Sequence, residues 1–476
     1  MKTNTLRLLA GLALTTATAA SGKTIPNNAA ADLVLGQVNF TTGTALAVTA
    51  SSLSNPEAIA MDPVSGKVFV ADANNNRVLR YASAATLQNG AAAEAVFGQP
   101  DFTTAAENSG GSLGMNYPCA LFFDRFKRLW VADQSNHRVL MFTAADVRET
   151  QAHPDKVFGQ PDFTTGSSGP ASATKMRSPS GLWVDKDDRL WVADQVFNRI
   201  LRFDSVSNNP AVNSAADGVL GQPDFTTATP GLAINKFNNP ESVTVSATGQ
   251  LYVADFRNHR ILRFENAATI SGLVNPSTAL GQADLTTATS GCSANKLQFP
   301  AGVFVTPDDT LWVTDYGNRR MVSFKNASTK VTGAAADGFL GQPDFTTSSS
   351  GTTAQKFVSP YYAPFVDPSG RLWVPDTLNN RVLRFSPDAM PPLLAVTVPA
   401  KVTKKPKIRV KGTASDTYGI SKVEYRIGKG PFKLATGTTV WSFRVNLKKG
   451  KNTVTVIATD VDGIRSLRKV IKITRK

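Results

Sequence analysis

Residues 129–142 read LWVADQSNHRVLMF. Five variants of this phrase recur along the chain: VFVADANNNRVLRY, LWVADQVFNRILRF, LYVADFRNHRILRF, LWVTDYGNRRMVSF and LWVPDTLNNRVLRF. The aspartate closing the first half falls at Asp72, Asp133, Asp194, Asp255, Asp315 and Asp376, at spacings of 61, 61, 61, 60 and 61 residues. A period this constant marks a repeat architecture, in which each unit buries its faces against its neighbours. Within every copy, two runs of apolar, β-branched and aromatic residues flank a short polar turn, which predicts a β-hairpin. The Asp suits the turn because its carboxylate accepts backbone N–H groups two residues on. An Arg follows each Asp (Arg77, Arg138, Arg199, Arg260, Arg320 and Arg381), placed to pair with it or with a neighbouring unit. Six identical placements point to scaffold, since a catalytic residue is not needed six times over.

Two further strands complete the period. About nine residues before the Asp phrase lies a run such as PEAIAMD (56–62) or PSGLWVD (179–185). After the phrase comes a run ending in Gly-Gln, at Gly36, Gly98, Gly159, Gly221, Gly281 and Gly341, and four of these pairs continue Pro-Asp-Phe. Proline cannot donate to a β-ladder, so these runs lie at the outer edge of their sheets. Four strands per period with one marked edge is the pattern of a β-propeller blade. The inner strands are apolar at nearly every position, as expected of strands buried on both faces. The first outer strand, LVLGQVNF (33–40), precedes the first inner strand, and nothing equivalent follows the last hairpin, which ends at Phe385. Six inner triplets and six outer strands match only if the N-terminal strand completes the C-terminal blade. The expectation is an all-β chain whose residues 33–386 form a six-bladed propeller closed by its N-terminal outer strand, with no blade edge left open.

The phrases NHRVLMF, NHRILRF and NNRVLRF, each preceded by V-A-D or V-P-D, resemble NHL repeats, a family of propeller blades. The resemblance spans residues 33–385, and the extra length of each unit falls mainly in the loop between one outer strand and the next inner strand. Propellers that resemble this one include amidating lyases and lactone hydrolases working around a metal in the channel. The resemblance therefore implies an enzyme as the alternative to a binding protein.

The termini differ from the repeats. Residues 1–20 carry Lys2 and Arg7, then LLAGLALTTATA and Ala17-Thr18-Ala19, the layout of a secretory signal peptide cut after Ala19 or Ala20. An exported protein, secreted or associated with the cell envelope, is expected, with no transmembrane segment. Residues 391–476 hold 20 of the 51 Lys and Arg but only four of the 36 acidic groups, Asp416, Glu424, Asp460 and Asp462. The formal net charge of +15 therefore resides almost entirely in this tail. Seven short strand-like runs there predict a small immunoglobulin-like β-sandwich that resembles the accessory modules of exported bacterial proteins. Its charge predicts anionic envelope polymers as partners, and nucleic acid is the weaker candidate for want of an aromatic platform.

Sites of chemistry are sparse. No GxSxG, HExxH or phosphate-cradling loop occurs, and the histidines number three: His137, His153 and His259. His137 and His259 share a turn position with Asn in three other blades, so they read as turn residues rather than zinc ligands. Cys119 and Cys292 fall in blades two and five, across the ring from each other, and read as unpaired. Asp460–Gly463 (Asp-Val-Asp-Gly) reads as a strand-end turn more than a calcium loop. No cofactor is indicated, and the inner strands give a channel metal little support.

What breaks the repeat is more informative. At the position after the inner-strand proline stand Glu57, Cys119, Ser180, Glu241, Ala301 and Tyr361, with Tyr362 beside the last. The turn tips on the same end add Gln134, Gln195, Phe197, Phe256, Arg257 and Tyr316. Aromatic rings, amides and two carboxylates around one mouth suit a protein, glycan or small polar ligand. Glu57, Glu241, Tyr361, Tyr362, Phe256, Tyr316, Gln134 and Gln195 are the candidate site. Glu57 and Glu241 belong to opposite blades and should face each other, favouring a cation, a metal or an amine.

Overall fold

The computed structural model describes residues 24–108, 114–388, 391–397, 402–416, 419–460 and 464–476. The expected signal peptide lies outside these residues.

Six four-stranded antiparallel sheets account for the repeats. In blade one the inner strand Pro56–Met61 pairs with Lys67–Asp72, which pairs with Arg77–Ser83, which pairs with the outer strand Ala95–Phe97. The last sheet is assembled from both ends of the domain. Phe365–Val366, Leu372–Asp376 and Arg381–Phe385 are completed by Leu33–Leu35, in the register Leu33↔Arg384, Val34↔Leu383, Leu35↔Val382. All three N-terminal side chains are buried, and Asp32 adds an ion pair to Arg384 at 2.9 Å. The seam is therefore closed by apolar burial as well as by ladder hydrogen bonds.

The apolar core is divided among the gaps between blades. Phe69, Phe97, Phe123 and Leu129 fill the gap between blades one and two, and Trp191, Phe237, Val243 and Val253 fill that between three and four. Leu33, Leu35, Ile59, Tyr81 and Trp373 join blade six to blade one. This is why the inner strands lack alternation: each face of each sheet meets a neighbouring blade.

The recurrent Asp and Arg form a buried brace. In blade three, Asp194 accepts the Arg177 backbone N–H at 2.8 Å on one oxygen and Arg199 Nε at 2.8 Å on the other. The remaining Arg199 nitrogens donate to the carbonyls of Phe225, Ser172 and Lys175, tying the hairpin to two long loops. Both side chains are fully buried, and the same ion pair occurs in every blade. The residue before each Arg is left-handed, with φ between 53° and 55° at Asn76, His137, Asn198, His259 and Arg319 and 51° at Asn380. His137 and His259 each accept a backbone N–H of the next blade on Nδ1, from Ser178 at 3.1 Å and Phe299 at 3.0 Å. Asn76 Oδ1 does the same for Tyr117 at 2.9 Å, which explains why Asn and His interchange.

The C-terminal region is a sandwich of a three-stranded and a five-stranded sheet around Val410, Trp441, Val456 and Ile473. Its described residues form eight strands where seven are legible in the sequence. The additional one, Val402–Thr403, is two residues long and pairs parallel to Lys469–Arg475. Lys407–Ser415 alternates strictly between exposed and buried, so Lys407, Arg409 and Lys411 point outward, and Arg444 pairs in register with Arg409. Among the described residues no helix is long and apolar enough to cross a membrane.

Candidate functional site

The inner strands begin at the end of the ring where the Asp turns lie, because Pro56 pairs with Asp72 and each equivalent proline with its Asp. A register shift follows the proline in blades one to five, so the next residue leaves the ladder. Glu57, Cys119, Ser180, Glu241 and Ala301 occupy this unladdered position.

Blade six departs from the rule. Its proline precedes the strand-end Asp by seven residues (Pro360 to Asp367), where blade one has six (Pro56 to Asp62). Pro364 removes a ladder donor, and the inner strand shrinks to Phe365–Val366. The freed segment carries Tyr361 and Tyr362 over the channel head. Two residues of blade five seat it. Thr314, where blades one to four have Ala, donates its hydroxyl to the Tyr362 carbonyl at 2.8 Å. Gly302 admits the same carbonyl, since a Cβ there would lie 2.0 Å from it.

Beneath this cap sit the two glutamates, 2% and 1% exposed. Glu57 Oε1 accepts from the Tyr117 hydroxyl at 2.7 Å. Glu241 Oε1 accepts from Gln195 Nε2 at 2.5 Å and from the Tyr361 hydroxyl at 3.3 Å. The second oxygen of each carboxyl, Oε2, is buried with no hydrogen-bond partner. The Thr377 and Ser180 hydroxyls stand nearby, yet each donates to a backbone carbonyl. Gln134 reaches across to the Tyr362 hydroxyl at 2.7 Å. Beside Tyr361 the rings of Tyr316, Phe256, Phe299 and Tyr362 form one aromatic cluster, with centroids 4.6–6.2 Å apart.

Burial dominates the electrostatics. It pushes the Glu57 carboxyl up to about 8, against the Tyr117 hydrogen bond and with help from the neighbouring Glu241 charge. It pushes Glu241 up to about 7, opposed by Gln195 and Tyr361. At neutral pH Glu57 is therefore mostly protonated and Glu241 about half so, and a cation would draw both towards the ionised form. The Cys119 thiol, also buried, is raised well above its ordinary value by desolvation, which suits a packed side chain rather than a nucleophile. Cys292 is half-buried, and both cysteines are free.

All eight candidate residues gather at this one end. Tyr117 and Phe299 belong to the site as well and were not picked out from the sequence. Both precede an inner-strand proline and hold left-handed φ of 55° and 51°, where blades one and four place Asn. Bulky aromatic residues in that region are costly, and such strain gathers at functional sites. Elsewhere, the Asp460 carboxylate lies within 4.8 Å of those of Asp388 and Asp416, a group that could hold a metal ion. Residues 461–463 of the Asp-Val-Asp-Gly phrase fall outside the described residues.

The fold is a β-propeller with an immunoglobulin-like tail, and family patterns match within both parts. The NHL repeat pattern matches residues 53–81 and 237–264, and the bacterial Ig domain pattern matches 392–456. The chain therefore carries NHL repeats and ends in a bacterial Ig domain. Peptidyl-alpha-hydroxyglycine alpha-amidating lyase 2 of Drosophila melanogaster is 28% identical over 93 residues, which is 19% of this chain and 20% of that protein. Virginiamycin B lyase from Staphylococcus aureus is similar in structure, with a TM-score of 0.39 and 12% identity over 71% of this chain and 86% of that one. PorZ, a surface component of the type-IX secretion system of Porphyromonas gingivalis, has a TM-score of 0.42 and 13% identity over 88% and 51%.

Proposed function

We propose that the propeller is a binding module whose channel head recognises a protonated amine carried by a protein or small polar ligand. The observation that carries this reading is the pair of buried glutamates, each with an Oε2 that lacks a partner, beside a cluster of aromatic rings. An ammonium group supplies the missing donors and the opposite charge, and aromatic faces attract it further, by about 0.5–2 kcal/mol per ring contact. Entry requires the half-buried Tyr361 ring to swing aside, breaking its long hydrogen bond to Glu241. The enzymatic alternative has less behind it. The channel head offers two carboxylates, whereas the group of three lies on the Ig-like tail and the segment leading to it.

Binding should release protons, because cation and proton compete for the same carboxyls. Affinity for methylammonium and for the tripeptide Gly-Lys-Gly should therefore rise as pH increases from 6 to 8. The limit is about tenfold per pH unit for each proton displaced. The Glu57→Gln/Glu241→Gln variant should bind at least about tenfold more weakly, without the pH dependence. Equal, pH-independent binding by both proteins in calorimetric titrations would sink the proposal.

The outward basic row of the tail supports a second, separate role as an anchor to anionic envelope polymers, in a chain exported by its first 20 residues. Fractionation of the native host should place the mature chain, beginning at residue 20 or 21, in an envelope fraction released by raised salt. Retention of residues 1–19, or release unaffected by salt, would reject this role.

A further inference from the structure

The other end of the channel holds a cavity of about 470 Å3, remote from the glutamates, where the inner strands end at Met61, Val184, Val245 and Val305. Phe122, Trp183, Phe304 and Phe365 form its neck. The first three are the fifth residue of their strands in blades two, three and five, and Phe365 is the blade-six counterpart. Their rings run in an unbroken chain, with centroids 4.4 Å (Phe122–Trp183), 5.6 Å (Trp183–Phe304) and 5.5 Å (Phe304–Phe365) apart. Blades one and four carry Ala60 and Thr244 at that level, both buried, whereas all four rings are part-exposed. The aromatic arc thus keeps open surface facing the cavity.

Above the neck the channel tightens to a void of about 30 Å3, room for about one water. The polar groups around the cavity are mostly spent. Asp367 accepts from the Ser369 and Arg371 backbone, from Arg371 Nε at 2.7 Å and from Trp373 Nε1 at 3.0 Å. The Thr306 and Ser246 hydroxyls are engaged within their own turns. Lys186 supplies the cation of the lining: its side chain is exposed on the rim and pairs with the less exposed Asp187 at 3.0 Å. Such a cavity has the size of a small-molecule site, a wall for flat rings and one cation for orientation.

We propose that this cavity binds a small, flat, largely aromatic molecule bearing one anionic group, its rings against Phe122, Trp183 and Phe304 and its anion towards Lys186. The site goes beyond the amine reading of the opposite end and stands independently of it.

Two probes test it on the full chain: 1-anilinonaphthalene-8-sulfonate and its uncharged relative N-phenyl-1-naphthylamine. Each should saturate at one molecule per chain and quench tryptophan emission. Trp183→Ala should weaken both at least about tenfold. Ala247→Trp, a filling substitution on the exposed rim that leaves the neck intact, should block both and guards against a folding defect in the first variant. Lys186→Ala should weaken the sulfonate about threefold or more and leave the neutral probe unchanged. Binding at several sites, or affinities untouched by Trp183→Ala and Ala247→Trp, would overturn the proposal. Equal effects of Lys186→Ala on the two probes would overturn the placement of the anion.

Discussion

Replacing Glu57 and Glu241 together with Gln should stabilise the protein at pH 8.5 by several kcal/mol, up to about 8 kcal/mol if both shifts are fully expressed, and change it little at pH 5. The sign follows from the direction of the shifts. Both carboxyls are raised in the folded state, from 4.5 to about 8 and about 7. Between pH 4.5 and 8 the folded chain therefore holds protons that the unfolded chain has lost. The contribution of these two carboxyls to wild-type stability is full below about pH 4.5 and falls as pH rises through this window. Gln cannot ionise, yet it keeps an acceptor for the Tyr117 hydroxyl and for Gln195. Thermal denaturation at a series of pH values checks this: parallel curves for wild type and variant would mean that the carboxyls are not buried as described.

Asp194→Ala should cost about 3–5 kcal/mol, and Asp255→Ala a similar amount, because each leaves a buried guanidinium without its counter-charge. The pair itself need not be a net gain, since desolvation of Asp194 outweighs the Arg199 attraction and leaves its carboxyl raised to about 6. Removing one partner is another matter. Arg199 would remain fixed to three loop carbonyls, and the Arg177 N–H would lose its acceptor. Arg199→Lys should recover little, since an ammonium cannot span the carboxylate and the carbonyls of Phe225, Ser172 and Lys175 at once. A loss below about 1 kcal/mol in urea denaturation would refute the role of the brace as the joint between hairpin and loops.

The propeller was legible because its signal repeats: six Asp phrases, six Gly-Gln runs and an outer strand out of phase leave one way to close the ring. The candidate site was legible in outline for the converse reason, since Glu57, Glu241, Tyr361 and Tyr362 break that repeat. Depth was not legible. A carboxylate at the mouth of a channel and one buried beneath two tyrosines have the same sequence neighbourhood, and the difference rests on the extra residue before Asp367, on Thr314 and on Gly302. Tyr117 escaped notice because a left-handed φ leaves no mark on composition. The aromatic arc at the other end was hidden for another reason: Phe122, Trp183 and Phe304 sit in strands apolar at nearly every position, where lining and core residues look alike. In the tail, the pairing of Val402–Thr403 is too short to give a periodic signal.

The most direct test of the channel head is a carbon-13 titration of glutamate-labelled protein, with Glu57→Gln and Glu241→Gln used to assign the two carboxyl resonances. The expected result is a pair of carboxyls protonated at pH 6 that titrate between about 7 and about 8, and that ionise at lower pH when methylammonium is added. Two carboxylates already ionised at pH 6, titrating near 4.5 and indifferent to the amine, would contradict the account.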